Sequence, residues 1–146
     1  MKEVLALRRE TSSMEEFTDA VVFAVGGWNP RFDRVVAKAV VGTEAVAIIE
    51  SNGVDSEMTD ENLDCFSWID GGWRSGASGS CGDSGWCDGL AYACGNAPAG
   101  ETITVSFDGK EHQVEVEPSG FWLFAAPFAD FADPSANEED LPRRIS

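Results

Sequence analysis

The segment from Thr102 to Glu117 carries the pattern that most restricts how this chain folds. Two runs of alternating residues flank Asp108-Gly109, a dipeptide that suits the left-handed conformation required at both central positions of a tight hairpin turn. One face of the resulting ribbon is mostly apolar, with the pairs Phe107 and Lys110, Val105 and His112, and Ile103 and Val114. The opposite face is wholly polar, so we predict a β-hairpin that packs on a core from one side.

Other runs predict further strands. Arg34–Val41 and Glu44–Glu50 are apolar and β-branched, and Gly42-Thr43 between them has the spacing of a second hairpin turn. Cys65–Ile69 and Phe121–Ala126 have the length and aromatic content of two more strands. We therefore expect a mainly β chain, in which two small antiparallel sheets pack together as a β-sandwich.

The two ends are predicted to differ from this plan. Ser13 to Glu16 has the form of a capping box ahead of a helix, although the β-branched residues in Ala20–Val25 leave a strand open as the alternative. Residues 1–130 are expected to form one β-sandwich domain, and residues 131–146 an acidic extended tail. Between the predicted strands, Ser51–Asp64 is expected to be a polar loop, too charged for the core.

The stretch from Cys65 to Cys94 contains all four cysteines, three of the five tryptophans and the only tyrosine. Its many glycines lose more backbone entropy on folding than other residues do. We expect a long Gly/Cys/Trp-rich loop that cross-links or partners hold in place. Trp68 and Trp122 are predicted to be core residues, and Trp73 and Trp86 to lie at the surface. The predicted binding residues are Trp73, Trp86, Tyr92, Asp83 and Asp88.

The cysteines are candidates for disulfides. The intervals between them lack the two-residue spacing of structural zinc sites, so we predict no metal and no cofactor. The three possible pairings of Cys65, Cys81, Cys87 and Cys94 stay open, among them Cys65 with Cys81 and Cys87 with Cys94.

One motif suggests catalysis. Gly82-Asp83-Ser84-Gly85 matches the sequence around the nucleophile of chymotrypsin-like proteases. Those enzymes place their histidine before the serine, whereas the only histidine here, His112, follows it. We therefore interpret these glycines as turn residues and expect a non-enzymatic protein.

Twenty-six acidic residues against ten basic ones give a formal net charge of −16. This charge opposes direct binding to nucleic acid or anionic membranes and favours encounter with a basic protein. We expect a protein-recognition module. The alternatives are an acidic inhibitor or nucleic-acid mimic, a carbohydrate-binding module and, least favoured, an enzyme that uses two carboxylates.

The sequence gives two opposed indications of location. Acids and arginines interrupt the first ten residues, and neither a signal-peptide core nor a membrane span is recognisable, which favours the cytoplasm. An even number of cysteines favours an exported protein.

From Cys65 to Ala126 the order of features resembles a small β-domain of uncharacterised actinobacterial proteins. The shared features are the cysteine in a strand, Ser80-Cys81-Gly82, Gly95–Gly100, the turn Phe107–Lys110, and Gly120–Leu123. The resemblance implies no particular activity. It implies export behind a membrane anchor, which this sequence lacks, and it does not account for Cys87 and Cys94.

Overall fold

The computed structural model describes residues 14–51, 60–81, 84–87, 89–128 and 141–146. These residues form one helix and ten strands in three antiparallel sheets. The helix is α1 (Asp19–Gly26), and the strands are β1 (Asp33–Val41), β2 (Glu44–Ser51), β3 (Asp60–Ile69), β4 (Gly72–Gly79), β5 (Ser84–Cys87), β6 (Leu90–Asn96), β7 (Thr102–Phe107), β8 (Lys110–Glu115), β9 (Phe121–Pro127) and β10 (Arg143–Arg144). The predicted mainly β, sandwich-like class is confirmed, with three sheets where we expected two.

The three sheets have the orders β1-β2-β3-β4, β5-β6-β9 and β10-β7-β8, and are called the first, middle and last sheets. Both predicted hairpins are present. In the first, Gly42 adopts a φ of 59° in the turn between β1 and β2. In the second, Phe107 faces Lys110 and Val105 faces His112, in the predicted register.

The middle sheet separates two cores, as strand β9 illustrates. Its alternate residues Phe121 and Leu123 join the core shared with the first sheet, whereas Trp122 and Phe124 join the core shared with the last sheet. A third core lies between the first sheet and α1, where Phe17, Val22 and Phe66 are buried. The chain therefore stacks as helix, first sheet, middle sheet and last sheet.

The helix prediction is confirmed over Asp19–Gly26, but the helix begins later than expected. Thr18 is the N-cap, and its side-chain oxygen accepts a hydrogen bond from the backbone N–H of Val21 at 3.3 Å. The predicted cap, Ser13, lies outside the described residues. Gly27, with a φ of 76°, ends the helix in the left-handed conformation.

The expectation of a long loop between Cys65 and Cys94 is wrong in the described residues, because β4, β5 and β6 occupy most of it. Asp70 (φ 51°) and Gly71 (φ 80°) form a two-residue turn between β3 and β4, with the same dipeptide as the hairpin at Asp108-Gly109. Strand pairing thus supplies hydrogen-bond partners to a glycine-rich backbone.

All four cysteines form disulfides, Cys65 with Cys87 and Cys81 with Cys94. The first bond links β3 to β5 and therefore joins the first sheet to the middle sheet. The second links the residues after β4 to β6. This is the one open pairing that crosses between elements twice.

Two segments expected to lie outside the core contribute to it. Asp64, assigned to a polar loop, is buried within β3, so that expectation is wrong for residues 60–64. At the end of the chain, Leu141 is buried, and Arg143 and Arg144 pair with Ser106 and Val105 of β7. The last residues of the expected tail are therefore an edge strand of the last sheet.

Candidate recognition surface

Strand β5 lies at the edge of the middle sheet and is only four residues long. Its last residue, Cys87, is buried and bonded to Cys65 in β3. An edge strand presents backbone N–H and C=O groups along its outer side, where another chain can pair with it. The disulfide holds this short edge against the first sheet, so the edge is both exposed and fixed.

Trp86 is the exposed aromatic residue of this strand. Its side chain is 54% exposed, whereas the neighbouring Cys87 points into the core shared with the first sheet. Because side chains alternate along a strand, Trp86 and Ser84 lie on the opposite face from Cys87. The placement of Trp86 agrees with the predicted surface position.

Tyr92 lies opposite Gly85 in the pairing of β5 with β6 and is half-buried. A Cβ at Gly85 would lie 2.5 Å from the Tyr92 hydroxyl oxygen, so only glycine leaves room for this ring. Burial raises the pKa of the Tyr92 hydroxyl above its ordinary value. Tyr92 therefore supports β5 from beneath and offers little surface of its own.

Trp73 is not at the surface, and the expectation that it is exposed is wrong. It is 7% exposed and contacts Phe17 and Trp68 edge-on, with ring centroids 5.0 and 5.5 Å away. Its indole N–H donates to the backbone oxygen of Glu15 at 2.8 Å. The segment before α1 covers this tryptophan, and the glycines around it in the sequence give no sign of that cover.

The two remaining predicted binding residues, Asp83 and Asp88, lie outside the described residues. Trp122 is buried as predicted, and Trp68 is partly buried at the helix side of the first sheet. Of the predicted site residues, the structure thus brings Trp86 and Tyr92 together on β5 and β6.

A cleft of about 500 Å³ lies beside β5, between the middle and last sheets. Its described lining is Ser84, Cys94, Gly95, Asn96, Trp122, Arg143 and Arg144. Sequence reasoning missed this cleft, because it assigned the two arginines to a detached tail. An Arg-Arg pair near the end of an otherwise acidic chain is the signal that was available.

Asp64 is the buried carboxyl group of the described residues, and it lies away from β5 on the helix side of the first sheet. Its Oδ2 accepts a hydrogen bond from the indole N–H of Trp28 at 2.6 Å. Burial raises the pKa of Asp64 above its ordinary value, and the Trp28 hydrogen bond offsets part of that rise. This contact ties the residues after α1 to β3.

The surface charge is strongly negative. With ten basic and 26 acidic residues, at least sixteen acids have no basic residue to match them one for one. Exposed pairs such as Arg34 with Glu50 and Lys38 with Asp19, at 2.5 and 2.7 Å, neutralise a few of them. A negative field therefore surrounds the recognition surface.

Within the described ranges, no three His, Cys, Asp or Glu side chains come close enough to hold a metal ion. Nor does the helix in that part of the chain have the length and apolar character needed to cross a membrane.

Comparisons with known proteins give no relative for this chain: no protein-family model, curated protein or solved structure matches it. Its function is therefore inferred from its own residues.

Proposed function

We propose that this protein is a non-enzymatic recognition module that binds an extended segment of a basic protein partner along β5. The observation that carries this proposal is the 54% exposure of Trp86 on an edge strand that the Cys65–Cys87 disulfide fixes in place. Tryptophan is enriched among the residues that dominate binding energy at interfaces.

The mode of binding follows from strand geometry. A partner segment in extended conformation pairs with the outer backbone of β5, and one of its side chains lies against the indole of Trp86. Because the disulfide and Tyr92 already order this strand, binding costs little additional conformational entropy on this side.

The charge of the partner follows from the charge of this chain. A formal charge of −16 accelerates association with a Lys- or Arg-bearing segment and opposes direct contact with nucleic acid. The association rate is therefore expected to fall as salt is added.

A randomised peptide display library, selected in parallel on the wild type and on Trp86→Ala, tests this proposal. The wild type is expected to enrich basic peptides rich in β-branched and aromatic residues, and Trp86→Ala to lose them. Ile69→Ala is the matched control, because Ile69 is 48% exposed and lies on β3 instead of β5. The proposal fails if both tryptophan forms enrich the same peptides.

A second candidate is an acidic inhibitor or nucleic-acid mimic whose carboxylates occupy a basic cleft. The excess of sixteen acidic residues over basic ones favours it. Its affinity would depend steeply on salt and would survive Trp86→Ala. Trp86 also suits carbohydrate stacking, and a glycan array bound by the wild type but not by Trp86→Ala would identify that function instead.

The two disulfides favour an oxidising, exported setting, because cytosolic thiols are kept reduced. Intact mass after alkylation of the natively isolated protein tests this inference. No cysteine is expected to be labelled without reductant, and all four after reduction and unfolding. Labelling of all four before reduction would contradict it.

A further inference from the structure

The cleft beside β5 contains a buried hydrogen-bond donor without a protein acceptor. The indole N–H of Trp122 is shielded from solvent, and no acceptor in the described part of the chain reaches it. Trp122 itself is 3% exposed. A buried donor without an acceptor costs about 1 to 3 kcal/mol, so such groups point to a ligand or an ordered water.

The position of this N–H is set by Gly95. Gly95 lies opposite Trp122 in the pairing of β6 with β9, and a Cβ at Gly95 would lie 2.9 Å from the indole nitrogen. Gly95 and Trp122 both line the cleft. The absence of a side chain at residue 95 thus leaves the indole edge next to the cleft.

Other donors line the same cleft. Arg144 contributes a guanidinium, Ser84 a hydroxyl and Asn96 an amide, while no acidic side chain is among the described lining residues. In a chain with 26 acids and ten bases, such a concentration of donors is unusual. The cleft therefore has a local character opposite to that of the whole molecule.

We propose that this cleft binds a small organic monocarboxylate, whose oxygens accept hydrogen bonds from Trp122 and Arg144. A guanidinium matches the two oxygens of a carboxylate in a fork-like geometry. The volume of about 500 Å³ lies within the usual range of small-molecule sites. The proposal is independent of the peptide-binding function, because Trp86 is not among the lining residues.

The net charge decides between a carboxylate and a phosphate. A phosphate monoester carries close to two negative charges at neutral pH, so the field of −16 opposes it more strongly than it opposes a monocarboxylate. A neutral amide has the same shape as a carboxylate but lacks the charge that strengthens hydrogen bonds to arginine. The charge and the two oxygens are therefore both required.

Titration of the 15N-labelled protein with benzoate, benzamide or inorganic phosphate tests the proposal through the five tryptophan indole N–H signals. Trp122→Phe assigns the signal of Trp122. We expect benzoate to move this signal saturably, and benzamide and phosphate to leave it in place. Arg144→Gln is expected to weaken benzoate binding by about tenfold or more, and Arg144→Lys to restore part of it.

Trp86→Ala is the matched control and should bind benzoate as the wild type does. The proposal is overturned if benzoate moves the Trp122 signal only together with the other indole signals, which would indicate a buried water at this N–H. A saturable response to phosphate alone would refute the carboxylate class, and equal responses to benzoate and benzamide would refute the need for charge.

Discussion

Strands β4 and β5 carry tryptophans in nearly the same local sequence, yet one tryptophan is buried and the other exposed. Trp73 follows Gly72, Trp86 follows Gly85, and serines and glycines surround both. Trp73 is 7% exposed and Trp86 is 54% exposed. The difference arises from what packs on each strand: Phe17 and the segment before α1 cover β4, whereas Trp86 projects from an edge. Local composition therefore identifies the strands but not which of them recognises a partner.

The largest expected difference between the two strands is in stability. Trp73→Ala removes a buried ring that contacts Phe17 and Trp68, and we expect it to cost about 3 to 5 kcal/mol of unfolding free energy. Trp86→Ala, at an exposed position, should change this free energy by about 0.5 kcal/mol or less. Chemical denaturation of both variants measures the contrast. Similar losses would mean that Trp86 is a core residue.

The next largest effect concerns the Cys65–Cys87 bond, which fixes β5 to the first sheet. Its 22-residue separation predicts a loss of about 3 kcal/mol in the double variant Cys65→Ala/Cys87→Ala. Removing the Cys81–Cys94 bond, with a separation of 13 residues, should cost a similar amount. Hydrogen exchange then separates the two variants, because only the first should accelerate exchange in β5. Unchanged β5 exchange would show that the bond does not order this edge.

A smaller effect is expected from alanine at glycines of the two strands. Gly85→Ala forces Tyr92 to move, because the new Cβ would lie 2.5 Å from its hydroxyl, and we expect a cost of about 1 kcal/mol. Gly79→Ala on β4 meets no atom within 4 Å and should be neutral or slightly stabilising. Thermal unfolding of the two variants gives the comparison. Equal melting temperatures would indicate that Tyr92 does not support β5.

The smallest effect expected is a pH dependence from Asp64, which lies on the covered side of the first sheet. Because burial raises the folded-state pKa of Asp64 above its ordinary value of 3.8, this group stabilises the fold fully below about pH 3.8. That contribution is lost as pH rises through the folded pKa. Asp64→Asn keeps an oxygen for the Trp28 N–H but does not titrate. Its stability relative to the wild type should therefore rise from acidic to neutral pH, and a falling difference would contradict this account.

The parts of the fold that local pairing rules determine could be predicted from the sequence. The Asp108-Gly109 hairpin has its predicted register, since turn chemistry fixes the pairing of the residues beside it. The same rule applied to Asp70-Gly71 would have identified the β3–β4 hairpin. The glycine content around that dipeptide instead led to the prediction of a loop.

What depends on distant contacts could not be predicted. The burial of Asp64 requires Trp28, which lies 36 residues earlier, and the burial of Trp73 requires Phe17 and Glu15. The cleft requires β10 to pair with β7, which brings Arg144 beside residues of β5, β6 and β9. None of these pairings leaves a periodic or turn signal in the sequence.

The most direct test of the recognition surface is the affinity of a library-selected basic peptide for the wild type, Trp86→Ala and Ile69→Ala. We predict that Trp86→Ala weakens binding by about 30-fold or more, as expected for a tryptophan that dominates an interface, while Ile69→Ala leaves it within about threefold. Equal affinity of the wild type and Trp86→Ala for that peptide would contradict the assignment of β5 as the binding edge.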